Sequence, residues 1–367
     1  MLAGLDDGWA DPSRLHREGR RAQLVINDAK ARIAALLDIR TDELTIVRSG
    51  THAVRTAIEG LAQARRRSSA PMIVSTVEHS CVIDASEALT LNGASAVRHL
   101  GVDRDGLVDP SELATLLSDL MARADAGPPP PFVAVQSVNQ ETGTAQPLDR
   151  VAEITRSADV PLLVDASQSL GREDVPVHWD VMAGSAHKWG GPAGIGLLAI
   201  RTGVRWRAPT PVRGLDRTSD GFPDVPALLA AAASLEQAER ERAVVRPRLL
   251  ALTDQIRATA ASIPDVEVVG HPTQRAAHLV TFSCLYVAGD AIVGALDRID
   301  LSVASGSACA SVQHGPSHVL AAMGVLTHGN VRIGLPADVT DADVARLIDA
   351  LPPVVAAIRA DAGTVGL

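Results

Sequence analysis

Lysine is nearly absent from this chain. Among 367 residues carrying 34 basic side chains, only Lys30 and Lys188 are lysines. Lys30 sits in an ordinary helical pattern, Val25-Ile26-Asn27-Asp28-Ala29-Lys30-Ala31-Arg32-Ile33, where arginine would serve as well. Lys188 sits in Ser185-Ala186-His187-Lys188-Trp189-Gly190-Gly191-Pro192. An amine forms a Schiff base with a carbonyl and a guanidinium does not, which makes Lys188 the first candidate for covalent chemistry. Asp165 ends the apolar run Leu162-Leu163-Val164 upstream of it. Taken alone, a strand-end Asp more often caps the next helix. Beside an amine placed after the following strand, it can instead face a shared pocket, because open α/β sheets bind ligands at the carboxyl ends of their strands.

That pair suits pyridoxal phosphate. The lysine would bind the aldehyde, and the Asp would keep the pyridine nitrogen protonated so that the ring accepts electrons. A phosphate needs a cradle, and Ser49-Gly50-Thr51-His52 stands where a strand pattern turns into a helix pattern. Unpaired N–H groups and the helix dipole attract anions there. Ser185 and His187, beside the lysine, can add donors. Of the three cysteines, Cys81 and Cys284 read as small buried hydrophobes. Cys309 differs: it lies in Ser305-Gly306-Ser307-Ala308-Cys309-Ala310-Ser311, without apolar periodicity. Such a segment reads as an exposed loop in which a thiol can react. His314 and His318 follow, but no further ligands are spaced to complete a metal site, and none is expected.

The elements that must position these residues alternate between strand and helix through the first two thirds of the chain. Residues 23–38 and 53–64 have helical spacing of apolar positions. Residues 44–47, 72–74, 132–136, 161–164 and 195–200 are short apolar runs. Asp109-Pro110-Ser111-Glu112 is a helix start with Pro at the first helical position. Apolar strands separated by helices predict a mainly parallel sheet covered on both faces, hence an α/β fold. The pattern changes near residue 224. Residues 225–263 predict one long helix containing Pro247, followed by strands at 266–269, 278–282 and 301–304, a helix near 289–296 and a last helix from 341. The expected division is a large domain over 1–224 and a smaller α/β domain over 225–367.

Composition narrows the function. Hydrophobic residues make up 46% and charged residues 21%, a globular balance. The net charge of -9, with no basic run, argues against a nucleic-acid partner. No stretch is apolar and long enough to span a membrane. Three cysteines form no disulfide framework and point to a reducing, cytoplasmic setting.

With the lysine segment, four others resemble the cysteine desulfurases of the class V aminotransferase family. They are Asp11-Pro12-Ser13-Arg14-Leu15-His16-Arg17-Glu18-Gly19-Arg20, Thr76-Val77-Glu78-His79, Val138-Asn139-Gln140-Glu141-Thr142-Gly143 and Ala304-Ser305-Gly306-Ser307-Ala308-Cys309-Ala310-Ser311. They occur in the family's order and span nearly the whole chain. The resemblance implies a fold type I pyridoxal-phosphate-dependent transferase, with a large, mainly parallel seven-stranded sheet domain and a smaller C-terminal α/β domain. It implies removal of sulfur from L-cysteine, giving L-alanine and a persulfide on Cys309 for transfer to an acceptor protein, as in iron–sulfur cluster assembly. It also implies a homodimer. Lys188 would hold the cofactor, His79 would stack on its ring, Asp165 would pair with the ring nitrogen, and Asn139 and Gln168 would bond the hydroxyl side. Thr51, Ser185 and His187 would hold the phosphate, and Arg332 the substrate carboxylate. The chain departs from the family in three ways. It begins after the family's first strand segment. His52 stands in the phosphate loop, where Thr51 or His52 itself must donate. Phe222 replaces a threonine that reaches the partner subunit's phosphate. The alternatives are a related lyase acting on selenocysteine or cystine, or a catalytically impaired sulfur-relay relative.

Overall fold

The computed structural model describes residues 2–122, 128–209, 221–305 and 316–363, so Cys309 and His314 lie outside the described residues. The chain divides into two compact units. The first takes in residues 1–100, 109–138 and 147–242. In order it holds α1 (Leu2–Asp7), α2 (Arg17–Leu36), β1 (Leu44–Val47), α3 (Gly50–Ala64), β2 (Met72–Ser75), α4 (Ser80–Leu91) and β3 (Val97–Leu100). After these come α5 (Pro110–Ala122), β4 (Val133–Ala134), α6 (Leu148–Ser157), β5 (Leu162–Asp165), β6 (Val181–Ser185), β7 (Gly196–Ile200) and the first part of α7 (Val225–Ser262).

Seven strands form one sheet in the order β1-β7-β6-β5-β4-β2-β3. The five strands from β6 to β3 are parallel, while β7 runs antiparallel to both β6 and β1. This is the mainly parallel seven-stranded sheet that the resemblance implied. Its central strands are apolar on both faces because both faces are covered. Met72, Val74, Leu163, Val181 and Leu198 meet Val54, Ala57, Ile58 and Leu61 of α3 in one buried cluster. Those α3 positions recur at helical spacing, and each large side chain so buried stabilises the fold by about 1.5–3 kcal/mol. Ser49 caps α3 by accepting from the His52 amide at 3.0 Å. Lys30 lies half-buried on α2.

The second unit takes in residues 101–108, 139–146 and 243–367. It contains β8 (Val266–Val269), β9 (Leu279–Cys284), α8 (Gly289–Asp297), α9 (His318–Met323), β10 (Asn330–Gly334) and α10 (Asp341–Asp361). Its three-stranded sheet, β10-β9-β8, is antiparallel throughout. Val280, Phe282, Val331 and Ile333 pack with Leu252 and Ile256 of α7 and Leu347 and Leu351 of α10. Thr340 and Asp343 close α10 with reciprocal side-chain bonds.

The expected strand at 301–304 is reduced to a single bridge, Ala304 to Arg332, so among the described residues no fourth strand joins the small sheet. The division expected at residue 224 falls at the start of α7, whereas the compact units divide within that helix, after Arg242. The physical reason is that the first half of α7 packs into the first unit. Leu228, Ala231, Ala232 and Leu235 are buried, Trp189 donates to the Ala231 carbonyl at 3.3 Å, and Glu236 pairs with Arg32 at 2.6 Å. Among the described residues no helix is long and apolar enough to cross a membrane.

Candidate active site

Three expected residues leave the sheet at the carboxyl ends of its parallel strands. His79 follows β2, Asp165 is the last residue of β5, and Ser185 is the last of β6. Lys188 lies in the single 3-10 turn Ala186–Trp189 immediately after β6. Gly190 ends that turn at φ 89°, a left-handed conformation that side chains resist, and its amide donates to the Ala186 carbonyl. The turn is tied down further by Ala186 N–H to the Ile195 carbonyl at 3.0 Å and by Arg172 Nε to the Lys188 carbonyl at 3.2 Å. Parallel β5 and β6 are adjacent, with Asp165 in register with Ala183, so the carboxylate and the lysine turn issue from neighbouring strand ends.

The N-terminus of α3 meets this edge. A Cβ added to Gly50 would lie 2.7 Å from Ser185 Cβ, 3.1 Å from Ser185 Oγ and 3.3 Å from Ser167 Oγ. Only glycine lets the helix start approach those hydroxyls. The Gly50 and Thr51 amides have no partner inside the helix, whereas the His52 amide is already used by Ser49. Two helix amides and two hydroxyls therefore converge, which fits a phosphate dianion. Ser185 Oγ lies 2.9 Å from His187 Nδ1. Burial and then the Lys188 charge lower the His187 pKa, so that ring is neutral near pH 7 and can exchange either hydrogen-bond role with Ser185. Thr51 is exposed at the helix start. The side chain of His52 lines a cavity of about 690 Å³ together with Trp9, Arg48, Ile195 and Phe222. Ser167 was not among the sequence candidates; its place two residues after a strand-end Asp was the available signal.

His79 caps α4, its Nδ1 accepting from the Cys81 amide at 3.2 Å. That bond fixes the neutral ring with its proton on Nε2. Asp165 accepts from the Ser167 amide at 2.9 Å, and Gln168 is buried one residue further on.

Glu78 stands next to His79 in the Thr76-Val77-Glu78-His79 segment. It is 1% exposed and accepts from the Gln136 amide at 2.6 Å. Burial pushes its pKa up to about 8; the Gln136 bond opposes this and the Asp165 charge adds to it. Glu78 thus stays protonated in the folded protein up to about pH 8, while the unfolded chain ionises it above about 4.5. Stability from this group is complete below the lower value and is lost as pH rises through the window. Glu78→Gln keeps the neutral shape and cannot ionise. It should gain about 1–3 kcal/mol on the wild type between pH 5 and pH 8. Urea midpoints at the two pH values measure this, and an unchanged difference would show that Glu78 is ionised in the fold.

The two described cysteines are poor nucleophiles. Cys81 is half-buried rather than fully buried as expected, because it sits in the first turn of α4. Burial and the charges of Asp165, Glu78 and Asp84 raise its pKa far above the ordinary thiol range. Cys284 is buried, with its pKa pushed up to about 11, mainly by burial. A reacting thiolate needs the opposite environment.

Arg332 and Asn139 belong to the second unit. Arg332, on β10, donates through Nη1 to the Gln140 carbonyl at 3.1 Å. Asn139 Oδ1 accepts from the Glu141 and Thr142 amides, both at 2.8 Å, so its oxygen is committed to its own loop. Glu141 is buried and accepts from Ser317 Oγ at 2.6 Å; burial raises its pKa despite that bond.

The model of the family described as Aminotransferase class-V matches residues 6–347. The chain is 30% identical to a cysteine desulfurase IscS of Methanosarcina thermophila, over 98% of this chain and 88% of that protein. It is 32% identical to a cysteine desulfurase of a Nostoc species, over 98% and 89%. A solved NifS-like protein superposes with a TM-score of 0.85 at 22% identity, covering 97% of this chain and 94% of that one. These matches show that the chain belongs to the class V aminotransferase family.

Proposed function

We propose that this protein is a cysteine desulfurase that uses pyridoxal phosphate. The observation carrying the reading is the meeting of the α3 N-terminus with Ser185 and Ser167, one strand end from Asp165 and one turn from Lys188. When bound, the cofactor supplies an aldehyde for the amine and a ring that takes up electrons from the substrate's α-carbon. The Gly50 and Thr51 amides, Thr51 Oγ1, Ser185 and His187 hold its phosphate. Asp165 offers a carboxylate to a ring N–H, and Gln168 and the Asn139 amide orient the ring's hydroxyl side. Lys188 Nζ takes a proton from the substrate's α-carbon and later returns one. His79 would stack on the ring, with its Nε2 proton available. Arg332 clamps the substrate carboxylate with its fork.

Cys309 is the group that accepts the sulfur: the substrate's carbon–sulfur bond breaks as the Cys309 sulfur–sulfur bond forms. L-cysteine and the Cys309 thiol give L-alanine and a Cys309 persulfide, an exchange that needs no outside oxidant or reductant. A thiol of ordinary pKa, about 8.5, is only partly ionised near neutrality, so a base at the site must take its proton. The persulfide then passes to an acceptor protein, iron–sulfur cluster assembly being one destination. A homodimer in the reducing cytoplasm completes the reading. The names of the similar proteins support the desulfurase reading, and the free state of Cys81 and Cys284 is consistent with a reducing setting. Incubation with pyridoxal phosphate and L-cysteine should yield one alanine per persulfide, counted by amino-acid analysis and by mass spectrometry of the Cys309 peptide. Alanine without persulfide would favour a lyase of the selenocysteine or cystine type.

A further inference from the structure

The opposite end of the same strands carries a second cavity. It has a volume of about 400 Å³ and lies against Leu162, the first residue of β5, Asp180, just before β6, and Arg201, just after β7. This is the amino edge of β5 and β6, whereas Asp165 and Ser185 stand at their carboxyl ends. Four arginines line the cavity, Arg65, Arg156, Arg201 and Arg205, against the acids Asp159 and Asp180. In a chain of net charge -9 this is a local excess of positive charge.

Much of the acid is already committed. Asp180 Oδ2 accepts from the Leu162 amide at 2.8 Å, and Asp159 is exposed. Arg201 Nη1 donates to the Asp38 carbonyl at 3.1 Å and lies 4.0 Å from the Glu43 carboxylate, and its guanidinium sits 4.1 Å over the Trp179 ring, which fixes its plane. Arg65 forms the inner wall. Its Nη2 donates to the Asp159 carbonyl at 3.3 Å, while its Nη1 is enclosed and makes no hydrogen bond within the described residues. Burial lowers the pKa of Arg65, and the Arg205 charge lowers it further against the pull of Asp159 and Asp180. The enclosed Nη1 is out of a ligand's reach, so Arg65 acts on an anion in the cavity through its charge and its remaining N–H groups. Arg156 and Arg205 are exposed at the mouth, free of the constraints that hold Arg201. Guanidinium forks match phosphate oxygens two at a time.

We propose that this cavity is a binding site for the phosphate groups of a small molecule, separate from the cofactor cradle. Arg65 and Arg201 hold the inner phosphate, and Arg156 and Arg205 close on the outer one. Its size is that of a small-molecule site and not of a peptide groove.

The test is calorimetric titration of the cofactor-loaded protein, so that the cradle at the other strand ends is filled, with pyrophosphate in one arm and ADP in the other. Saturable binding is expected in at least one arm. Equal affinities would mean that the phosphates alone are read, and tighter ADP binding that the cavity also takes the nucleoside. Arg65→Leu should weaken binding about 10- to 100-fold. Arg205→Glu, an exposed change that leaves the fold intact, should weaken it in the same direction, with the cofactor absorbance unchanged in both variants. No binding in either arm, or binding that Arg205→Glu leaves untouched, would overturn the proposal. So would capture of a glutamate-rich peptide by a protein that ignores both phosphates.

Discussion

Lys188→Arg should lose the bond to the cofactor and nearly all activity while remaining folded. Arginine keeps the positive charge but cannot condense with an aldehyde. The 3-10 turn is held by bonds to backbone groups, Arg172 Nε to the Lys188 carbonyl and the Ala186 amide to the Ile195 carbonyl, which the substitution leaves in place. Pyridoxal phosphate should then bind through the cradle alone, and borohydride should fail to fix it to the protein. In the proposed reaction the Lys188 amine would also serve as base and acid, a role worth about 10²–10⁴ in rate on its own. Alanine production should therefore fall at least that far. A variant that borohydride still labels would move the Schiff base to the chain's other lysine, Lys30, which the position of that residue on α2 argues against.

Cys309→Ser should separate binding from sulfur transfer. The variant should bind pyridoxal phosphate with the wild-type spectrum, change that spectrum on addition of cysteine, and release sulfide no faster than free cofactor does. The reason is chemical: a serine hydroxyl supplies no thiolate near neutrality and cannot store sulfur as a persulfide. Neither remaining thiol can substitute, because burial raises the pKa of Cys81 and of Cys284. Sulfide release at the wild-type rate would sink the persulfide reading. It would leave the lysine, Asp and cradle as the site of a lyase that needs no protein thiol.

Much of this was legible because the chemistry is tied to strand ends. Leu162-Leu163-Val164-Asp165 announces a buried strand that delivers a carboxylate, and the structure has β5 there. The Ser49-Gly50 start of α3 was readable as a cap, but not the reason for the glycine, since Ser185 and Ser167 come from residues more than a hundred positions away. β3 was missed because Val97-Arg98-His99-Leu100 exposes its two central residues, as an edge strand can. The strand expected at 301–304 was misread because apolar residues there pack on the small core without extended pairing. Glu78 was passed over because a carboxylate next to a histidine reads as solvent-facing. Only the pairing of β2 with β4 shows that it ends inside the protein, against Gln136.

The scarcity of lysine has a practical side. Two ε-amines exist in the whole chain, one on α2 and one in the turn after β6. Protein grown with isotope-labelled lysine would give a magnetic resonance spectrum with two side-chain signals. The Lys188 signal would follow each protonation and ligand event at the site, and Lys30 would stay in the same spectrum as its internal reference.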